Sequence, residues 1–304
     1  MSDARRGQDP LADLLAALEL TDTGARTDED IFTGPSLWMP GGRVFGGQVY
    51  AQSIMAAVRT VAPDRAIHST HGYFLRPGDV ALPITFAVDR IHDGRSFSTR
   101  RTQAYQNGQP ILSMIASFQD DDPGLDHQVD APEGVPDPES LPTTADILGR
   151  VDHPVAKFWA TSRAFDIRHI EQPIYYRADP ARVAHQAVWM KALGTLPDQP
   201  ELHRAALAYA SDYTILESVM RAHGIAWTHP GLKMASLDHA MWWHRPARAD
   251  EWLLYVQESP TASGGRGLAT GRIFTHDGML VASIAQEGMV RVPDLDDADP
   301  SPAR

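Results

Sequence analysis

The feature that most limits how this 304-residue chain can fold is that it states one pattern twice. "HGYFLRP" at His71–Pro77 reappears as "HAMWWHRP" at His239–Pro246. Pro77 precedes the glycine of "QNG", Gly108, by 31 positions, and Pro246 precedes the glycine of "HDG", Gly278, by 32. "PILSMIAS" (110–117) then stands opposite "MLVASIAQ" (279–286). A repeat on this scale settles the architecture before any single element is assigned, because each copy must bury the same surfaces.

In the first copy, "RVFGGQVYAQSIMAAVRTVAP" reads as a Gly-Gly turn and a helix that is apolar nearly all round. Such a helix belongs inside the protein. Strands follow in "HSTHGYFLRPG", "ALPITFAVDRIHDG", "SFSTRRTQAYQNG" and "QPILSMIASFQ". Their "HDG" and "QNG" steps supply the positive φ of hairpin turns. The second copy has strands in "FDIRHIEQPIYYR" and "VAHQAVWMKAL", then a helix through "LAYASDYTILESVMRAHG" that Gly224 stops. Four more strands close it: "KMASLDHAMWWHRP", "EWLLYVQESPTA", "RGLATGRIFTHDG" and "MLVASIAQEGMVRV". The expected class is α+β, with two modules, each an antiparallel sheet wrapped around a buried helix.

A short helix from Pro10 to Glu19 opens the first module, which takes residues 1–119. Asp, Pro and Gly dominate "DDDPGLDHQVDAPEGVPDPESLPTT", so residues 120–150 read as a linker. The second module is expected over 151–293, and a disordered tail over 294–304.

A net charge of −12, with no basic arm to offset it, argues against a nucleic-acid partner. The chain has no cysteine, which excludes disulfides, thiolate metal sites and a cysteine nucleophile, and suits a reducing, cytoplasmic setting. Its 13 histidines show no H-E-x-x-H, and close pairs such as His68 and His71 fall on opposite strand faces. No metal or cofactor is expected. No run is long enough to span a membrane. The N-terminus lacks an apolar signal core, and "DPSPAR" is not a Ser-Lys-Leu address. There is no G-x-S-x-G elbow, and "SGGRGLATG" reads as a turn and not a phosphate loop.

The stretches "VFGGQVYAQSI", "HGYFLRPG", "GRSFSTRR", "LAYASDYTIL", "SLDHAMWWHRP", "EWLLYVQESPTA" and "GMLVASIAQEG" resemble the acyl-CoA thioesterase II family. The likeness runs from about Leu11 to Val292. It implies two fused hot-dog modules and hydrolysis of fatty acyl-CoA to free fatty acid and CoA, without an acyl-enzyme. In that family an Asp, a Ser or Thr and a Gln of the second module position the attacking water. The matching residues are Asp212, Ser236 and Gln286. Ser236 stands where many relatives carry Thr, and offers the same hydroxyl.

The residues support that chemistry on their own terms. Gln286 interrupts the small apolar run "VASIA", and each unmet hydrogen-bonding group of a buried amide costs roughly 1–3 kcal/mol. Asp212 is expected near the start of the second buried helix, where N–H groups and the dipole favour an anion. There it can act as general base, or as an ordinary N-cap. Ser236 by itself is an unremarkable strand serine, and alternation puts Asp238 on its face unless a bulge intervenes. The first copy has Ser117 near the position of Gln286 and Gln48 at its helix start, so one catalytic set per chain is expected. A backbone N–H near a helix N-terminus is expected to polarise the thioester carbonyl.

Arg95, Arg100, Arg101, Arg266 and Arg272 are candidates for the CoA phosphates, or else solvated strand arginines. Trp242 and Trp243 read as packing residues that could also line an acyl tunnel or a subunit contact. Two other readings use the same scaffold. One is a non-catalytic acyl-CoA binding or sensing protein. The other is an enoyl-CoA hydratase, which resembles this chain less because Glu217 stands where its helix histidine would be. Open sheet edges and a broad outer face lead us to expect a homo-oligomer.

Overall fold

The computed structural model describes residues 9–25 and 27–292; the tail expected over 294–304 lies outside the described residues. Helix α1 (Pro10–Leu18) leads into strands β1 (Thr21–Asp22) and β2 (Asp30–Gly34) and helix α2 (Gly46–Val58). The strands β3 (Ala66–Phe74), β4 (Ile84–Asp93), β5 (Phe97–Gln106) and β6 (Gln109–Gln119) follow. After short helices α3 (Thr144–Leu148) and α4 (Pro154–Thr161) come β7 (Phe165–His169) and β8 (His185–Ala192). Helices α5 (Pro200–Ser211) and α6 (Glu217–Ala222) precede β9 (Lys233–Ser236), β10 (Asp238–Trp243), β11 (Leu253–Ser263), β12 (Arg266–Thr275) and β13 (Leu280–Arg291).

Helix α2 is buried from Gly47 to Ala57, as its apolar circumference requires. Its polar side chains are all engaged. Gln48 and Gln52 donate to the Pro35 and Ala17 carbonyls, both at 2.9 Å, which ties the incoming chain to the helix. Gly47 has no room for a side chain, because a methyl group would run into the Tyr209 carbonyl of α5. The two central helices therefore touch backbone to backbone.

The strands form a single sheet in the order β1-β2-β4-β5-β6-β3-β10-β13-β12-β11-β8-β7, with β9 also on β13. It is antiparallel throughout, as expected, but the two copies share one continuous sheet. The junction is the β3–β10 pair, in which His71 faces Ala240. Both residues lie six positions before the proline of their copy, so the junction falls on the axis relating the copies.

Four local expectations are corrected. The strand expected through "FDIRHIEQPIYYR" ends at His169. The linker region carries the 3-10 turn Pro138–Ser140 and α3, which Thr143 and Asp146 close as a capping box. The single helix expected through "LAYASDYTILESVMRAHG" is broken after Ser211 and resumes at Glu217. Finally, Ser236 pairs with Gly288 and Ala240 with Ala285, so the stretch 236–240 has one residue more than the stretch 285–288 opposite it. That is a β-bulge, and it reverses the side-chain alternation on which the Ser236–Asp238 reading depended.

Candidate active site

Asp212 is the C-cap residue of α5, in the right-handed helical region at φ −83°, ψ −6°. The expectation that it begins a helix is therefore wrong in its particulars. The helix N-terminus that serves it belongs to the other copy: Gly47 of α2 donates its N–H to Asp212 Oδ2 at 2.8 Å. The expected electrostatics survive, with the positive end of a helix facing a carboxylate. This N–H is thereby taken, so the donor for a thioester carbonyl is not that of Gly47.

The other carboxylate oxygen meets the two remaining sequence candidates. Gln286 Nε2 donates to Asp212 Oδ1 at 2.9 Å and to Ser236 Oγ at 2.9 Å. Ser236 Oγ donates to Asp212 Oδ1 at 3.2 Å, the longest side of the triangle. Three residues spread over 75 positions thus close on one carboxylate oxygen. Asp212 and Ser236 keep some accessible surface, while Gln286 is buried. Burial pushes the Asp212 carboxyl above the usual range, although His239 and the bonds from Gln286, Ser236 and Gly47 pull the other way. A carboxylate so placed is a stronger base than a solvated one.

Asp238 is not part of this group. The bulge turns it to the backbone, where Oδ1 accepts the Glu287 N–H at 2.7 Å and braces the strand beside Gln286. The same bulge turns His239 inward, a residue to which the sequence analysis assigns no role. His239 Nδ1 hydrogen-bonds Gln286 Oε1, and its Nε2 lies 3.0 Å from Ser211 Oγ. The available signal was the unspent amide oxygen of a buried glutamine, which demands a donor.

An aromatic wall stands beside Asp212. Phe45 stacks on Tyr213 at 5.0 Å, Tyr209 meets both rings edge-on, and the Arg163 guanidinium lies over Tyr213 at 5.1 Å and Trp159 at 4.6 Å. Glu217 is separate from the group around Asp212, accepting from Trp227 Nε1 at 2.7 Å and bonding His169 at 3.3 Å.

The candidate phosphate arginines are mostly committed elsewhere. Arg100 is buried, donating to Thr60 Oγ1 at 2.9 Å and to Asp93 at 2.7 Å. Arg101, Arg266 and Arg272 pair with Asp89, Glu287 and Glu258. Arg95 offers its carbonyl to Arg65. Trp243 is buried as packing, and Trp242 meets His71 edge-on at 5.0 Å across the central strand pair. Among the described residues no three His, Asp or Glu side chains gather as a metal site, and no helix is long and apolar enough to cross a membrane.

A doubled module, with a helix enclosed in each half of a shared sheet, is the frame of a double hot-dog protein. A solved protein from Alicyclobacillus acidocaldarius described as having a hot-dog fold superposes with a TM-score of 0.74 over 92% of this chain and 98% of its own, at 20% identity. The family description "Acyl-CoA thioesterase N-terminal domain" matches residues 35–119, and "Acyl-CoA thioesterase" matches residues 163–289. Human acyl-coenzyme A thioesterase 8 is 38% identical, over 93% of this chain and 92% of its own length. The solved acyl-CoA thioesterase II TesB2 of Mycobacterium marinum is 42% identical, with a TM-score of 0.75 over 92% of this chain and 98% of its own. The chain belongs to the acyl-CoA thioesterase family, a family of thioester hydrolases.

Proposed function

We propose that this chain hydrolyses fatty acyl-CoA to free fatty acid and CoA by direct attack of one water, with Asp212, Ser236 and Gln286 as its catalytic set. The observation that carries the reading is a partly buried carboxylate held by three donors, Gly47, Ser236 and Gln286. Water enters at the long Ser236–Asp212 side, displacing Ser236 from Oδ1 and taking the Gln286 N–H that otherwise reaches Ser236 Oγ, so that the serine hydroxyl and the glutamine amide hold it. Asp212 takes its proton as the oxygen attacks the thioester carbonyl. The tetrahedral intermediate then expels the CoA thiolate, which recovers that proton. A thiolate leaves far more readily than an alkoxide, since thiols ionise near pH 8.5, so the reaction needs no separate strong acid. The aromatic wall of Phe45, Tyr209 and Tyr213 keeps bulk water from the carboxylate. No acyl-enzyme is part of this scheme.

The test is CoA thiol release from a panel of acyl-CoAs of increasing chain length, comparing the parent chain with Asp212→Asn. A fall in kcat of about 10²-fold or more is the scale of a lost general base. Tight acyl-CoA binding without turnover by the parent chain would instead favour the sensing protein. Turnover unchanged in Asp212→Asn would move the base to another residue.

The reading includes a homo-oligomer in the cytoplasm. Its support is the outer sheet face, where Tyr73 is 62% and Ile115 49% exposed, and sedimentation of the purified chain tests the oligomer. The division into modules at 1–119 and 151–293 belongs to the same proposal.

A further inference from the structure

We propose that His239 is a positioning residue for the hydrolytic site: its Nδ1–H locks the Gln286 amide in the orientation that presents N–H groups to Asp212 and Ser236. The inference rests on the hydrolytic reading above and deepens it.

The argument is one of donor and acceptor counting. An amide has two N–H donors and one oxygen. Gln286 spends both donors, on Asp212 Oδ1 and Ser236 Oγ, each at 2.9 Å. Its oxygen must then find a donor in the buried interior, and His239 Nδ1 is the partner it has. A flipped amide would set its oxygen against the Asp212 carboxylate and its N–H groups against a ring N–H. Both contacts are repulsive, so the histidine and the aspartate select the same orientation from opposite ends.

His239 can act in this way because it is itself held on every side. It is 1% exposed. Tyr50 of α2 packs edge-on against the ring at 4.7 Å, and the Tyr50 hydroxyl donates to the His239 carbonyl at 3.0 Å. Ser211 Oγ, one residue before Asp212, sits 3.0 Å from Nε2. Burial favours the neutral ring. A neutral ring with its proton on Nδ1 leaves Nε2 as acceptor toward the Ser211 hydroxyl, whose hydrogen is shared with the Ala208 carbonyl at 2.9 Å. The chain of contacts Ser211–His239–Gln286 thus begins and ends beside Asp212. Thr70 occupies the equivalent place in the first copy, seven residues before Pro77 as His239 is seven before Pro246. Ser117 replaces the glutamine there, so neither half of this pair is repeated.

The decisive comparison is between two amide replacements. In His239→Asn the side-chain nitrogen stands where Nδ1 stood and can still donate to Gln286. In His239→Gln it reaches the Nε2 position, toward Ser211. We expect His239→Gln and His239→Leu to lose about tenfold or more in kcat for thiol release, the scale of a misplaced catalytic group, with KM changed less than about threefold. We expect His239→Asn to recover most of that loss. In a Gln286→Ala background the three substitutions should become equivalent, because nothing remains to orient. Equal kcat for the Asn and Gln variants, both folded by thermal melt, would overturn the proposal. So would full activity in the Leu variant, or persistence of the Asn–Gln difference without Gln286. A parent chain that releases no thiol would overturn the hydrolytic reading beneath it, an outcome visible before any variant is made.

Discussion

Gly47 and Asp212, 165 positions apart, are joined by a 2.8 Å hydrogen bond from the backbone N–H of one to Oδ2 of the other. The bond crosses between the two copies of the repeat. Each copy contributes what the other lacks: the first supplies a helix N-terminus with no acidic residue, and the second supplies an acid at a helix C-terminus. The two glycines that open α2 allow this closeness. A methyl group on Gly46 would stand 2.8 Å from Asp212 Oδ2 and 3.2 Å from the Phe74 ring.

Gly47→Ala should therefore damage the site through α2 and not through any lost side chain. The new methyl meets the Tyr209 carbonyl and the Phe45 ring, and a backbone atom cannot swing aside. Relief requires α2 to shift from α5, lengthening the bond to Asp212. Overpacking of this kind costs about 1–3 kcal/mol, readable by chemical denaturation, and kcat should fall with it. Wild-type stability and turnover in Gly47→Ala would show that the helices do not need this contact.

The pH dependence of Asp212 has a definite sign. Burial raises its pKa in the folded protein, so the carboxyl is ionised only above a value higher than that of an ordinary aspartate. The acid limb of the kcat profile should lie correspondingly high. Stability runs the other way: the contribution of a raised carboxyl is fully present below the unfolded value, about pH 3.9, and is lost as pH rises through the folded pKa. The melting temperature of Asp212→Asn, measured against the parent from about pH 4 to about pH 8, should gain ground as pH rises. A constant difference would mean that the carboxylate is not strained by its burial.

Glu217, only five residues on, should behave in the opposite way. It is as buried as Gln286, and burial by itself would raise its pKa, yet the bonds from His169, Trp227 and Gln186 outweigh that and hold it below the usual range. Its stabilisation is present above the unfolded value, about pH 4.3, and is lost as pH falls through the folded pKa. Glu217→Gln should cost about 3 kcal/mol near neutral pH, as when one partner of a buried pair is removed, and should leave thiol release close to that of the parent. A large loss of kcat in a stably folded Glu217→Gln would place Glu217 in the chemistry after all.

The sequence by itself determined the repeat, the buried helix of each copy, the hairpin glycines at 108 and 278 and the glutamine that had to be satisfied inside a strand. These follow from local rules: apolar periodicity, the positive φ of turn glycines and the cost of an unpaired amide. With the family resemblance it also named Asp212, Ser236 and Gln286, which the fold brings within hydrogen-bond reach. Only the tertiary structure decided which helix end faces Asp212, because that depends on how two copies meet and not on the residues beside it. Only the tertiary structure decided the fates of Asp238 and His239. One extra residue between Ser236 and Ala240 exchanges the faces of everything beyond it, sending the aspartate to the Glu287 backbone and the histidine into the core. A period-two pattern cannot reveal such a slip, since register is fixed by the partner strand, which is more than forty residues away in the chain.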